Sequence, residues 1–506
     1  METNRSKRAK INMITTVARQ IMATLCGIIV PRVMIGTFGS MVYGATTSIA
    51  QFLSYISLLE GGIGRVARGA LYKPLAQKDK KQISGVYQAI KKFYRGVGIA
   101  FLVYSLVLMF AYYDLAEIQI FSRKYTAFLV LAISLSTIAT YFGGIANMTL
   151  MHADQKQYLT NTIITATNLV NTVCIVLLVF AGADVLSVKL VSSIVFICRP
   201  ILYARHVKKN YEITQSQADS QALSQKWTGL GQHIAYFLHT NTDVVMLTLL
   251  ADLKMVAVYS VYHLVISSIW NIASSFSGGM EAAFGSMIAG QEHAELNKSY
   301  RYYKCILTLV AVILFGCTAI LILPFVQLYT AGITDANYIQ PMFALFLILA
   351  EFMNVLALPC TTLPVSANML KQTKWGSYGE AVINIVVSLS LIRWNPLVGV
   401  AFGTFSATLF KCLFYMIYTS GELLHIKTWK IVGRFLACLG IMCAFIAGGN
   451  WLYQNIAPSN YAEWVFQGII IAALVCPVAL CLCKMLYPQE MEGMLKRAAG
   501  KIAFHK

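Results

Sequence analysis

The chain has 506 residues, 58% of them hydrophobic, with a formal net charge of +19 at pH 7. A charge of this sign could indicate nucleic-acid binding. The excess of basic residues in the cytoplasmic loops of membrane proteins explains it more simply, so no nucleic-acid partner is expected.

Apolar stretches follow one another along the whole chain. Each has about 20 residues, enough for a helix to cross a bilayer. They lie near residues 11–31, 41–61, 93–113, 126–150, 158–181, 184–204, 230–251, 256–277, 304–325, 339–362, 376–393, 397–419, 431–453 and 462–483. We therefore predict an all-α integral membrane protein with about 14 transmembrane helices.

Lysine and arginine residues lie almost entirely on one side of these spans. If residues 1–10 are cytoplasmic, 33 of the 40 basic residues fall in or beside cytoplasmic segments, and only five fall on the other side. Those five are Arg32, Arg123, Lys124, Lys254 and Arg393. The bias predicts a multi-pass protein of the cytoplasmic (inner) membrane with both termini in the cytoplasm.

The chain also repeats itself at an offset of 216 residues, which superimposes Tyr43 on Tyr259 and Gly62 on Gly278. Six spans separate the copies, so both have the same orientation. Such repeats imply two six-helix lobes related by a pseudo-two-fold axis along the membrane normal. The expected divisions are an N-terminal lobe at 1–210, a cytoplasmic linker at 211–228, a C-terminal lobe at 229–425, and an extra helix pair with a cytoplasmic tail at 426–506.

Polar side chains form a stripe at helical spacing in the first span and another in the seventh. The first includes Asn12, Thr16 and Arg19, and the second includes Gln232, Tyr236, His239 and Asp243. Lipid does not tolerate such a face, so each stripe should face protein or a water-filled cavity. Alternatively, these groups only join neighbouring helices. That alternative is weaker for the two charged residues, because a charge at span depth costs at least about 2.5–3.5 kcal/mol.

Carboxylates at span depth are candidates for coupling transport to an ion gradient. Asp243 and Glu351 could gain and lose a proton as the lobes move. Glu351 could equally pair with a basic neighbour.

Further charged residues lie at the predicted ends of spans. Glu60, Arg65 and Arg68 cluster at the cytoplasmic end of the second span, and Glu380 begins the eleventh. The simplest interpretation of both is an interfacial ion-pair group.

Motifs of soluble enzymes are missing from the sequence. It contains neither a G-x-x-x-x-G-K-[ST] phosphate loop nor a G-x-S-x-G nucleophile turn, and its histidines lack metal-ligand spacing. We therefore expect a non-enzymatic transporter, without metal or other cofactor, driven by an ion gradient or by the gradient of its own substrate.

Four segments carry a family resemblance: PRVMIGTFGSMVYGATTSIAQFLSYISLLEGGIGRVARG, HADQKQYLTNTI, NTDVVMLTLLADLKMVAVYSVYHLV and GSMIAGQEHAELNKSY. They resemble bacterial polysaccharide-transport flippases of the multidrug/oligosaccharidyl-lipid/polysaccharide exporter superfamily. The resemblance runs over residues 1 to about 485. It implies two six-helix lobes, a central cavity that opens alternately to each side, and two extra helices.

The function that the resemblance implies is translocation of an undecaprenyl-diphosphate-linked oligosaccharide to the outer leaflet, for O-antigen or exopolysaccharide synthesis. Membrane lipid, a polysaccharide polymerase and chain-length proteins are the partners implied. By position, Arg19 and Arg32 would supply the cationic cavity lining of the family, and Arg65 and Arg68 would meet the substrate as it enters. Asp243 matches the aspartate of the family's seventh span.

Two other functions remain open. A cation-coupled drug or metabolite exporter of the same superfamily would favour an anionic cavity, against which Arg19 argues. A membrane polysaccharide polymerase or ligase would need a large outward loop with catalytic charges, and the longest predicted outward loops have only about a dozen residues.

The predicted topology can be tested by cysteine labelling in intact cells. Cysteines introduced near Lys78, Gln217 and Lys496 should be protected from an impermeant thiol reagent, whereas those near Ile118 and Asp335 should react. Labelling near Lys78 from outside would show that the orientation is the reverse of the predicted one, and so is the direction of transport.

Overall fold

The structure is a computed structural model that describes residues 2–118, 120–214, 217–224, 230–275 and 277–503. Within these ranges it consists of helices and their connections, without a β-strand. The helices before residue 215 are α1 (Glu2–Phe38), α2 (Ser40–Ser54), α3 (Ile63–Gln77), α4 (Lys80–Leu115), α5 (Arg123–Ala139), α6 (Ile145–Ala153), α7 (Gln157–Phe180) and α8 (Val185–Asn210).

The second part of the chain continues in the same manner. Its helices are α9 (Leu230–Leu250), α10 (Leu253–Ser274), α11 (Ser277–Ala289), α12 (His293–Tyr329), α13 (Pro341–Ser366), α14 (Leu370–Leu391), α15 (Pro396–Tyr418), α16 (Thr428–Asn455), α17 (Tyr461–Leu486) and α18 (Pro488–Ala503). Parts of the predicted linker, residues 215, 216 and 225–228, lie outside the described residues.

Each of the predicted spans falls on one of these helices or on two consecutive ones. In the described part of the chain, eleven helical segments are long and apolar enough to cross a membrane by length and composition. The three remaining predicted spans correspond to α2, α9 and α14. Of these, α2 has only 15 residues, and α14 carries three charged side chains. The all-α fold of a multi-pass membrane protein is thus confirmed.

Contacts divide the chain into two units, residues 1–237 with 252–257 and residues 238–251 with 258–506. The core of the first unit includes Ile90 and Phe101 of α4. In the second unit, Phe315 of α12 and Phe352 of α13 are fully buried. Each unit therefore buries its own apolar side chains.

Equivalent helices in the two copies of the repeat begin 213 residues apart: α2 and α10, α4 and α12, and α7 and α14. The turns agree, because left-handed backbone recurs at Lys78 and Gln291, and at Gln155 and Asn368. The offset of 216 is therefore wrong by three residues. It rested on isolated identities, which coincide by chance more readily than helix boundaries do.

Exposed tryptophans lie at both ends of two helices in the second unit. Trp375 and Trp394 are separated along α14 and its following turn, and Trp429 and Trp451 along α16. At about 1.5 Å per residue these separations are roughly 29–33 Å, close to the thickness of a bilayer's hydrocarbon core. Tryptophan is enriched at the membrane–water interface, so this spacing is the one expected of helices that cross a bilayer.

Helices α14 and α15 approach each other closely because glycines lie at their contact. A Cβ atom on Gly403 would collide with the Ser388 hydroxyl, and one on Gly379 would collide with the Phe410 ring. Small residues allow this close packing in membranes, where helices gain no hydrophobic free energy by associating. The polar side chains of α14 are thereby brought within hydrogen-bonding distance of α15.

Candidate functional site

The first unit contains a polar cavity of about 460 Å³. Two arginines line it, Arg68 from α3 and Arg199 from α8, together with His152 and one carboxylate, Glu60. Six hydroxyl-bearing side chains complete its polar wall: Tyr94, Ser136, Thr137, Thr140, Tyr141 and Thr149. The wall therefore offers more positive than negative charge, and many hydrogen-bonding groups.

Arg199 is held in place by α7 and by its own helix. Its Nε donates to Thr167 Oγ1 at 2.7 Å, and one terminal nitrogen donates to Asn168 Oδ1 at 2.6 Å. The guanidinium carbon lies 4.1 Å from the centre of the Phe196 ring. Since a guanidinium has five N–H donors, this fixed group keeps donors for an anion in the cavity.

The carboxylate of the cavity is bound by a tyrosine. Residues Thr140–Gly144 form one turn of π-helix, a feature frequent at functional sites. The hydroxyl of Tyr141 in this turn donates to Glu60 Oε1 at 2.5 Å. No ion pair joins Glu60 to Arg65 or Arg68 in the described residues, so the expected interfacial ion-pair group is not formed there. Arg65 is exposed, and Arg68 lines the cavity.

Two predicted site residues on α1 bind the neighbouring helix. Asn12 donates to Gln155 O at 3.0 Å and accepts from Tyr158 N at 2.7 Å. The hydroxyl of Thr16 accepts from Asn161 Nδ2 at 2.9 Å. These bonds hold α1 against α7, and a role of Asn12 and Thr16 in substrate binding stays a prediction.

Arg19 and Arg32 occupy different levels of α1. Arg19 is half-buried, and its Nε is buried without a hydrogen-bond partner in the described residues. It interacts electrostatically with His152 of the cavity wall and with Tyr203. Arg32 lies 13 residues further on, about 20 Å along the helix, and is not in the wall. The two arginines therefore cannot bind one phosphate group together.

The second unit buries a network of charged and amide groups. Glu380 Oε1 accepts from Lys411 Nζ at 2.9 Å and lies 3.1 Å from His239 Nε2. Lys411 also donates to Asn354 Oδ1 at 3.1 Å, and Asn354 donates to Glu351 Oε2 at 3.2 Å. A continuous chain of contacts thus links α9, α13, α14 and α15.

Asp243 belongs to a second buried polar group in the same unit. Its Oδ2 accepts from Tyr259 and Thr404 hydroxyls, both at 3.1 Å, and Thr404 accepts from Asn384 Nδ2 at 3.0 Å. Four buried oxygens on α9, α14 and α15 have no hydrogen-bond partner in the described residues: Asp243 Oδ1, Asn384 Oδ1, Ser388 Oγ and Thr408 Oγ1. Side-chain oxygens are the ligand type that small hard cations prefer.

The predicted stripe of α9 is divided between the units. Gln232 is half-buried and Tyr236 is exposed, and both belong to the first unit. His239 and Asp243 are buried in the second. In the described residues, no group of three or more His, Cys, Asp and Glu side chains could hold a metal ion.

Sequence reasoning missed Lys411 and Arg199. Both lie inside predicted spans, 397–419 and 184–204, yet both were counted with the cytoplasmic basic residues. A basic residue within a span was the available signal. Glu380, expected at the interface, is instead only 3% exposed and pairs with Lys411.

Solved structures of transporters share this fold. The chain is similar to the lipid II flippase MurJ in an inward closed conformation, with a TM-score of 0.66 and 12% identity over 94% of this chain and 98% of that one. A multidrug resistance MATE family transporter of the MOP superfamily, inward-facing, gives 0.64 and 12% over 81% and 98%. The MATE multidrug transporter DinF-BH gives 0.61 and 14% over 83% and 97%.

At these identities the likeness shows the fold alone, a multi-pass arrangement with about 14 transmembrane helices. No protein family model matches the sequence. No curated protein matches it either.

The buried network predicts an asymmetry between single and double substitutions. Lys411→Met should lower the free energy of unfolding by about 3–5 kcal/mol, because it leaves Glu380 buried without its cation. The double variant Glu380→Gln/Lys411→Met should recover much of this loss. Lys496→Met, which removes an exposed ion pair with Glu492, should leave the free energy of unfolding nearly unchanged, because solvent screens such a pair. Thermal unfolding of the purified protein measures all three, and equal losses at Lys411 and Lys496 would contradict the prediction.

Proposed function

We propose that this protein is a flippase that moves polyprenyl-diphosphate-linked oligosaccharides across the cytoplasmic membrane by alternating access. It would deliver repeat units for surface polysaccharide synthesis to the outer leaflet, with undecaprenyl as the lipid. The observation that supports this proposal is the cationic cavity of the first unit, with Arg68 and Arg199 in its wall.

The substrate's chemistry matches this wall. Sugars and a diphosphate cannot cross hydrocarbon unaided, since their polar groups would lose water without gaining partners. Guanidinium groups bind phosphate oxygens through two parallel charge-assisted hydrogen bonds. The hydroxyls around Thr137 and Thr140 would bind the sugars. Since Glu60 is bound by Tyr141, it would repel the diphosphate less than a free carboxylate would.

The volume limits what the cavity would hold. About 460 Å³ is typical of a site for one drug-sized molecule. The cavity would therefore enclose the diphosphate and the first sugar, while the polyprenyl chain stays in lipid. Arg19, near His152 at the edge of this group, would add positive charge on the α1 side.

We further propose that the second unit supplies the coupling. A proton or a sodium ion would bind at Asp243, whose Oδ1 has no partner in the described residues. Binding there would change the hydrogen bonds that Asp243 accepts from α10 and α15. Glu351 would sense the same movement through Asn354 and Lys411. The ion would thus favour one packing of these helices over another.

A cation-coupled drug or metabolite exporter is the second candidate. The buried carboxylates Asp243 and Glu380 and the half-buried Glu351 of the second unit favour it, since organic cations need acidic partners. The arginines in the wall of the first unit's cavity argue against an exporter of cations. Transport of a labelled amphipathic cation without flipping of lipid-linked oligosaccharide would support this candidate instead.

Arginine variants test the flippase directly, by flipping of a labelled lipid-linked oligosaccharide in proteoliposomes. Arg199→Ala should slow flipping roughly 10–100-fold, because charge-assisted hydrogen bonds to the diphosphate are lost. Arg19→Ala should also lose most transport, and Arg19→Lys should retain part, since charge survives without the bidentate fork. Arg95→Ala, on the exposed face of α4, is the control. Full activity of both alanine variants would remove the arginines from substrate binding.

Coupling is tested by imposing gradients on the same proteoliposomes. Wild-type flipping should accelerate with a proton or sodium gradient. Asp243→Asn, which mimics a neutral aspartic acid, should hold the transporter in one conformation and reduce turnover more than substrate binding. Wild-type rates that ignore both gradients would leave Asp243 as a hydrogen-bonding group only.

A further inference from the structure

Two basic side chains of the second unit have no acidic partner in the described residues. Lys304 of α12 is only 7% exposed, and its Nζ has no hydrogen-bond partner there. The guanidinium of Arg434, on α16, lies 4.7 Å from the centre of the Tyr487 ring. Both basic side chains line one small cavity of about 10 Å³, together with Tyr487 and Cys438. They are close enough to interact electrostatically.

A second lysine of this unit, Lys411, shows which partners Lys304 lacks. Lys411 has both the carboxylate of Glu380 and the amide of Asn354. Lys304 has neither, and the positive charge of Arg434 acts against its own. The acidic residue of this region, Glu490, pairs with Arg301 at 3.9 Å. A buried ammonium without a partner is costly, so the pair lacks an anion.

We propose that Lys304 and Arg434 bind the phosphate of an anionic membrane lipid. Both residues lie at the start of predicted spans, 304–325 and 431–453, at the ends that the charge pattern assigns to the cytoplasm. Basic pockets between transmembrane helices on that side bind phosphate-bearing headgroups. The lipid is therefore one of the inner leaflet.

The dimensions set the mode of binding. A cavity of about 10 Å³ admits little more than one water-sized atom. Because Lys304 Nζ is itself buried, its side chain would turn toward the cavity to meet one phosphate oxygen. The remaining oxygens would stay outside, against the half-buried guanidinium of Arg434, whose planar fork suits them.

Such a phosphate would join two helices. Lys304 belongs to α12, and Arg434 to α16, the first helix of the C-terminal pair. Tyr487, between α17 and α18, packs with Cys305 of α12 in one apolar cluster. The bound lipid would therefore fasten the C-terminal helix pair to α12.

The test uses the delipidated full-length protein, with melting temperature and native mass spectrometry as readouts. Phosphatidylglycerol should raise the melting temperature by roughly 2 °C or more above the value with phosphatidylcholine, and should be retained in preference. Lys304→Met should lower affinity for phosphatidylglycerol roughly tenfold or more. Without anionic lipid it should melt no lower than the wild type, because it removes an unpartnered charge.

Two further variants keep the test decisive. Arg434→Gln removes the half-buried partner and should weaken phosphatidylglycerol binding even if Lys304→Met folds poorly. Lys298→Met, an exposed lysine of α12 paired with Glu295, should leave lipid binding unchanged. Equal melting temperatures of the wild type in both lipids would overturn the proposal. So would full stabilisation by inorganic phosphate alone, because the ligand would then be free phosphate. Undiminished binding by both Lys304→Met and Arg434→Gln would also overturn it.

Discussion

The ion pair between Lys411 and Glu380 is the contact on which the interior of the second unit depends. A lone charge at this depth would be expelled or neutralised, so each side chain is retained only because the other is present. The pair also requires α14 and α15 to lie close together, which Gly403 and Gly379 permit by having no side chain. His239 and Asn354 then extend the contact to α9 and α13. Four helices are thus specified by one buried charge pair.

The first unit uses its charges differently. Arg68 and Arg199 face a cavity, and the one carboxylate in the wall accepts a hydrogen bond from a tyrosine. Arg199 is fixed by Thr167 and Asn168, neutral groups that orient the guanidinium without cancelling its charge. The positive field of the wall is therefore preserved for a ligand. The first unit thus presents arginine charge to a cavity, whereas the second pairs Lys411 with Glu380 inside its helix packing.

The sequence was sufficient to predict the helices, but it was insufficient to predict which side chains on different helices contact each other. Apolar length located the eleven segments that are long and apolar enough to cross a membrane, because hydrocarbon forces the backbone to satisfy its own hydrogen bonds. Asp243, Glu351 and His239 could be identified as candidate site residues because they are polar and lie deep within predicted spans. Nothing in a single sequence indicated that Glu380 would meet Lys411, 31 residues away on another helix. The same limit applies to Asn12 and Thr16, whose bonds to α7 depend on packing that periodicity does not reveal.

The left-handed turns at Lys78 and Gln155, matched at Gln291 and Asn368, are places where the chain cannot be lengthened without rotating the next helix. At these turns the two copies keep one register, so an added residue would rotate the following helix by about 100°. The connection between α4 and α5, at 116–122, is shorter than its counterpart between α12 and α13, at 330–340. The length of this connection has therefore been free to change. Fluorescent probes or epitope tags for following conformational change belong in these connections.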